Sequence, residues 1–310
     1  MPEVTVIIPN YNHARFLNKR ISTVLNQTYT DFELILMDDC STDNSREILE
    51  SFRRHEKVCT IIYNESNSGS TFKQWKKGMA QASGKYIWIA ESDDYAEPDF
   101  LETLMAPLLH DPKVMISYCR CIDVDEHDHV LGLTLHADQL DPVKWTQSHV
   151  EKASVELDKY IKYRNTIPNA SAVVFQKPRN VDEVLQTNMR FCGDWLFWQN
   201  ILKGPGYKIA YSNRPLNYFR SHAQSTRSFS TPSIEVELKR FTEYKSFVPK
   251  YYFNPLSNKF RWMMAEWIDR GMSKIVTGSK YAYLPLLHPS LVVRYYLYLL
   301  KQLILPTKKR

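Results

Sequence analysis

No stretch of this chain reaches the roughly 18 to 20 consecutive apolar residues that a membrane-crossing helix needs. The nearest, residues 291–305, is interrupted by Arg294, Lys301 and Gln302. The start, MPEVTVIIP, lacks the basic flank and apolar stretch of a secretory signal. Cysteine is scarce and odd in number. Cys40, Cys59, Cys119, Cys121 and Cys192 have no framework spacing, and the Cys119/Cys121 pair has no second pair with which to hold zinc. These absences together suit a reducing, cytoplasmic setting. There is no G-x-G-x-x-G and no G-x-x-x-x-G-K-[ST], which argues against a dinucleotide oxidoreductase and a P-loop kinase. The Ser, His and Cys residues form no nucleophile elbow.

What is present is a globular composition. Hydrophobic residues make up 44% of 310 positions, enough for a sizeable core in one large α/β domain or two smaller ones. The chain carries 40 basic and 34 acidic residues, but the excess is local. Residues 235–310 hold 14 Lys/Arg against 5 Asp/Glu, leaving 26 basic against 29 acidic elsewhere. A basic segment mixed with Trp, Tyr and Leu suits an anionic membrane surface better than nucleic acid. Its apolar part has to bury a face, either on the protein's own core or in the headgroup layer.

Short runs rich in β-branched and apolar residues alternate with helical spacings. Strands are expected at residues 4–9 (VTVIIP), 32–37 (FELILM), 58–63 and 86–90 (YIWIA). Helices are expected at 15–27, at 44–55 behind a Ser41-Thr42-Asp43 cap, and at 72–82. This alternation implies an α/β fold with a doubly wound, mostly parallel sheet. Such sheets bind ligands at the carboxyl ends of their strands. Two of those ends carry acidic clusters, Asp38-Asp39 and Glu91-Ser92-Asp93-Asp94. Further on, strands are expected at 114–121, 170–175, 207–211 and 216–220, with an aromatic helix at 194–202. Beyond residue 230 the chain reads as helical. The expected domains are therefore 1–230 and a helical extension, 231–310.

VTVIIPNYN, LILMDDCSTD and GKYIWIAESDDYAEPDFL, in this order and spacing, resemble the N-terminal half of the family 2 glycosyltransferases. NASAVVF, FCGDWLFW and LNYFRSHAQST extend the resemblance over about residues 3–228. It implies a GT-A fold and an inverting transfer of sugar from a nucleotide-diphosphate donor, UDP-linked first of all. The acceptor would be a hydroxyl on a bacterial polysaccharide or lipid-linked saccharide. Such a transfer needs a divalent cation for the leaving diphosphate, a nucleoside pocket and a general base for the acceptor hydroxyl.

By that resemblance, Pro9, Tyr11 and Asp39 line the nucleoside pocket, with Tyr11 stacking on the base, while Asp38 holds the loop. Asp93 is the metal ligand, with Ser92 beside it on the donor, and the cofactor is Mn²⁺ or Mg²⁺. Glu91 stands where Asp is usual, and its longer carboxylate can still approach nucleotide or metal. Asp194 takes the place of the catalytic carboxylate, with Gly193 where an acidic residue is common. It is also placed to cap the helix behind it. Arg220 and His222 match a loop that closes over the diphosphate, Arg220 toward phosphate and His222 toward the metal. The Asn67–Thr71 turn, followed by Lys73, Lys76 and Lys77, is a weaker candidate for phosphate support. Two rival readings remain: a nucleotidyltransferase on a similar sheet, and a catalytically degenerate nucleotide-sugar-binding subunit, which Glu91 and Gly193 would favour.

Overall fold

A computed structural model of the chain describes residues 1–222, except 135, 136, 139 and 163, together with the isolated positions 239, 242, 243 and 246. The expected helical extension and the basic C-terminal segment lie outside the described residues.

The N-terminal half alternates strand and helix as expected. β1 (Val4–Asn10), β2 (Phe32–Asp38), β3 (Val58–Tyr63) and β4 (Tyr86–Ile89) are separated by α1 (Ala14–Leu25), α2 (Ser45–Ser51) and α3 (Thr71–Gln81). β1 and β4 are buried along their whole length, which is why they read as continuous apolar runs rather than alternating ones. β5 (Tyr95–Ala96), α4 (Phe100–His110), β6 (Val114–Val124), β7 (Val130–Leu133) and β8 (His149–Lys152) follow. After them come the short helices α5 (Ala153–Glu156) and α6 (Val181–Val184), which flank β9 (Val173–Gln176), then α7 (Gly193–Ile201) and β10 (Lys208–Arg220).

The sheet runs β3-β2-β1-β4-β9-β6-β10-β5, with β7 added on β6 and β8 on β10. The β1–β2, β2–β3, β1–β4 and β6–β10 pairings are parallel, and β9 is antiparallel to both of its neighbours. Hence β1, β2, β3, β4, β6 and β10 all point the same way. The sheet is mostly parallel, as anticipated.

The core is built from the apolar stripe of α1 (Leu17, Ile21, Val24), the strands, and α4 through Phe100, Leu104 and Leu108. Trp88 of β4 stacks on Phe100 at 4.4 Å, and each such buried ring contributes about 1.5–3 kcal/mol. α3 lies close on the sheet because Gly78 has no side chain. A Cβ there would come within 2.6 Å of Ile7.

Two expectations need correction. Residues 207–211 and 216–220 are one strand, β10, interrupted by register shifts around Pro215. Proline has no N–H to give to a ladder, so the strand bulges there and continues. Residues 170–172 form a 3₁₀ turn instead of starting a strand, because the Asn169 side chain accepts from Ala172 N.

Candidate active site at the carboxyl ends of the central strands

Parallel pairing sets Asn10 beside Asp38 at the ends of β1 and β2. Asn10 Nδ2 donates to Asp38 Oδ1 at 3.1 Å, and Ser41 N donates to Oδ2 at 3.1 Å, so Asp38 holds the loop. Pro9 is buried inside β1 opposite Met37, whereas Tyr11, in the turn beyond, is 44% exposed. Asp39 is buried. Its Oδ1 accepts from Asn64 Nδ2, Ser68 N and Gln74 Nε2, and its Oδ2 from Ser68 Oγ. Oδ1 is thus filled by protein donors, and Oδ2 is the oxygen with acceptor capacity left for a ligand. The Asn67–Thr71 turn has a different use from the one expected. Ser68 N donates to Asp39 and Gly69 N to Asn67 Oδ1, so these groups serve carboxylate and amide oxygens of the protein.

The β4 end is the densest cluster of charge. Asp93 Oδ2 lies 3.0 Å from His222 Nε2, and His13 Nδ1 lies 2.8 Å from Ser92 Oγ. One ligand atom from each of His13, Asp93 and His222 falls within 4.8 Å of the others. Burial pushes the Asp93 carboxyl up, but the hydrogen bond from His222 and the nearby His13 and His222 charges outweigh it, and the net shift is downward. Burial lowers His13, against the pull of Asp93. Asp94 is turned inward. Its Oδ2 accepts from Asn169 Nδ2 and its Oδ1 from Arg220 N, and burial next to Asp93 raises it to about 7.

Glu91 is outside the three-residue cluster. Its Oε1 accepts from Trp75 Nε1 at 2.7 Å, and burial, then Asp93, raises it to about 8. Glu91, expected near nucleotide or metal, is held here by a hydrogen bond from α3. Behind the cluster Arg20 is fully buried over the Trp88 ring, and among the described residues none of its guanidinium nitrogens has a hydrogen-bond partner. Burial lowers its pKa to about 10, opposed by Asp94, Asp93 and Glu91, for which it is the internal counter-charge.

Arg220, expected toward phosphate, has its guanidinium engaged by protein acceptors. Its guanidinium is 2% exposed and donates to Asp93 O at 2.7 Å, Asp125 O at 2.8 Å and Asp128 Oδ1 at 2.5 Å. The residue locks the end of β10 to the β4 loop and so delivers His222 to Asp93.

Asp194 opens α7 without capping it, since the cap position belongs to Cys192. Asn165 Nδ2 donates to Asp194 Oδ2 at 2.9 Å. Burial raises the carboxyl to about 6, against the hydrogen bonds from Trp195 N and Asn165. Gly193 is required by packing. A Cβ there would stand 2.4 Å from the Phe72 ring, which meets Trp75 edge-on at 5.0 Å. One face of α3 therefore touches both Glu91 and the start of the helix that carries Asp194.

His13, Trp75, Asn165 and Arg20 were not anticipated. Arg20 alone left a signal, a charge on the apolar stripe between Phe16 and Val24. The others are brought in by contacts distant in sequence.

A sheet of this order with carboxylates at the β2 and β4 ends defines an α/β protein with a charged site at its strand ends, and comparison makes the class definite. The model of glycosyl transferase family 2 matches residues 5–172, more than half of the chain, and the protein belongs to that family. Among curated relatives, glycosyltransferase GlyG of Streptococcus pneumoniae is 37% identical over 101 residues, 33% of each chain. The poly(ribitol-phosphate) beta-N-acetylglucosaminyltransferase TarS of Staphylococcus aureus is 31% identical over 108 residues, 34% of this chain and 19% of that one. The matched stretch thus spans a third or less of these relatives. In solved structures the fold extends further. TarS 1–349 in complex with UDP-GlcNAc has a TM-score of 0.60 at 16% identity, covering 94% of this chain and 78% of that one. The mannosyltransferase PcManGT from Pyrobaculum calidifontis, in complex with GDP-Man and Mn²⁺, has 0.57 at 14%, covering 97% and 81%. The fold is GT-A.

Proposed function

We propose that this chain is an inverting glycosyltransferase that moves a sugar from a nucleotide-diphosphate donor, UDP-linked first of all, to an acceptor hydroxyl in bacterial polysaccharide or lipid-linked saccharide synthesis. The observation that carries this reading is the Asp93–His222 contact at the end of β4, with Asp39 at the neighbouring strand end. Donor names printed for the structural relatives, UDP-GlcNAc and GDP-Man, support the donor class.

The donor set at β4, a carboxylate with imidazole nitrogens beside it, fits a divalent cation, Mn²⁺ or Mg²⁺. When bound, such a cation supplies charge neutralisation for the departing diphosphate. Tyr11 offers an exposed ring for the base, and Asp39 Oδ2 accepts from its imino N–H. Ser92 and Glu91 border the donor. Asp194 takes the proton from the acceptor hydroxyl, and its raised carboxyl makes it a stronger base than a solvated aspartate.

The test is release of free nucleotide from UDP-, GDP- and dTDP-sugars, with and without Mn²⁺ and acceptor. Acceptor-stimulated release with one donor is the expected result, and Asp93→Asn should abolish it. No release and no donor binding from any nucleotide sugar would sink the proposal. Donor binding without turnover would favour a degenerate subunit.

A further inference from the structure

We infer that His13 is a third protein ligand of the cation at the β4 end. The site would then hold two imidazoles and one carboxylate, and it would select a first-row transition cation such as Mn²⁺ or Co²⁺ over Mg²⁺. This rests on the cation site proposed above and narrows it.

The placement follows from register. β1 and β4 are direct neighbours with Ile7 opposite Ile89, so residues just past their carboxyl ends meet. His13 lies just past β1 and Asp93 just past β4. β10 then brings His222 to the same point through the Arg220 anchor.

Both imidazoles are held before any ligand arrives. His13 Nδ1 is tied to Ser92 Oγ at 2.8 Å, which leaves Nε2 as the ring nitrogen for a cation. A partner on the far nitrogen is the usual way a protein orients a ligating histidine. The His13 and His222 rings meet edge-on at 5.1 Å, and Phe16 packs against them at 6.0 and 5.2 Å. Asp93 Oδ2 and His222 Nε2 are 3.0 Å apart, the separation of neighbouring ligands around a cation with bonds of about 2.1 Å.

The chemistry of this donor set decides the metal. Mg²⁺ prefers oxygen ligands and gives up water reluctantly, whereas imidazole nitrogen suits first-row transition cations. Three protein ligands leave positions open for diphosphate oxygens. They also let the cation bind before the nucleotide does.

The experiment uses the full chain without nucleotide, titrated calorimetrically with MnCl₂, CoCl₂ and MgCl₂. The Mn²⁺ complex is then examined by pulsed EPR for nitrogen couplings. Wild type should bind Mn²⁺ and Co²⁺ at least about tenfold more tightly than Mg²⁺ and show two histidine nitrogens. His13→Ala should lose about 10- to 100-fold in Mn²⁺ affinity and one coupling. His222→Ala should likewise retain one. If His13→Ala keeps wild-type affinity and both couplings, or if Mg²⁺ binds as tightly as Mn²⁺, the inference is wrong. Binding of Mn²⁺ with a single coupling that disappears in His222→Ala removes His13 and keeps the cation site. Absence of Mn²⁺ binding with or without UDP removes the site itself. Should His13→Ala lose its circular-dichroism signature, survival of one coupling in His222→Ala makes the same decision.

Discussion

Asp194 has a carboxyl that burial pushes up to about 6, and a general base works only in its ionised form. Activity should therefore rise as pH passes upward through about 6, level off above it, and fall away below. Asp194→Asn should cut turnover by about 10² to 10⁴ while donor affinity stays within a few-fold. The hydrogen bond from Asn165 favours the charged carboxylate. Asn165→Ala should consequently move the acidic limb to higher pH with little change in donor KM. A limb that stays in place would mean that the titrating group is another carboxyl. Asp194 itself was legible through the resemblance of FCGDWLFW to the family's catalytic segment. Asn165 was not, since no local pattern ties it to residue 194.

At the scale of elements, α3 and β10 do most of the positioning. α3 gives Gln74 to Asp39, Trp75 to Glu91, and the Phe72 ring to the space above Gly193. Gly193→Ala gains helix propensity of at most about 1 kcal/mol. It also places a methyl into Phe72, and overpacking of this kind costs about 1–3 kcal/mol, so the clash should win. Phe72→Leu should relieve part of that cost, and a double-mutant cycle by urea unfolding reads the coupling directly. Additive effects would show that the two residues do not press on one another. β10 depends on Arg220, whose planar fork reaches two backbone carbonyls and Asp128 at once. Lysine cannot span all three, so Arg220→Lys should cost about 1–3 kcal/mol through unsatisfied acceptors. It should also weaken Mn²⁺-dependent nucleotide binding by loosening His222. Wild-type unfolding and binding in that variant would return Arg220 to the phosphate role first expected of it.

At the scale of the whole molecule, the basic excess of residues 235–310, mixed with Trp, Tyr and Leu, sets an expectation of membrane contact. We propose that residues 281–310 lie in the headgroup layer of an anionic membrane, where each Lys or Arg near the surface adds roughly 1 kcal/mol. A lipid-linked acceptor would then be met in two dimensions. No helix among the described residues is long and apolar enough to cross a membrane. The full chain should co-sediment with anionic liposomes in a salt-sensitive manner, and a chain ending at Pro289 should remain folded and unbound. Unfolding of the shortened chain would assign the segment to the protein's own core.

The sequence by itself determined the sheet class, the order of the first four strands and the two acidic strand ends. Each of these is written in local periodicity: buried parallel strands need unbroken apolar runs, and polar residues end them. It also singled out Asp93, His222 and Asp194 as candidates, though not what surrounds them. Only the tertiary structure decided that β10 is one bulged strand, that Arg220 is consumed as an anchor, that Glu91 leans on Trp75, and that His13 stands beside Asp93 and His222. These are relations between residues far apart in the chain. They depend on strand register and on which side chains fill the space between elements, and no short-range pattern encodes either.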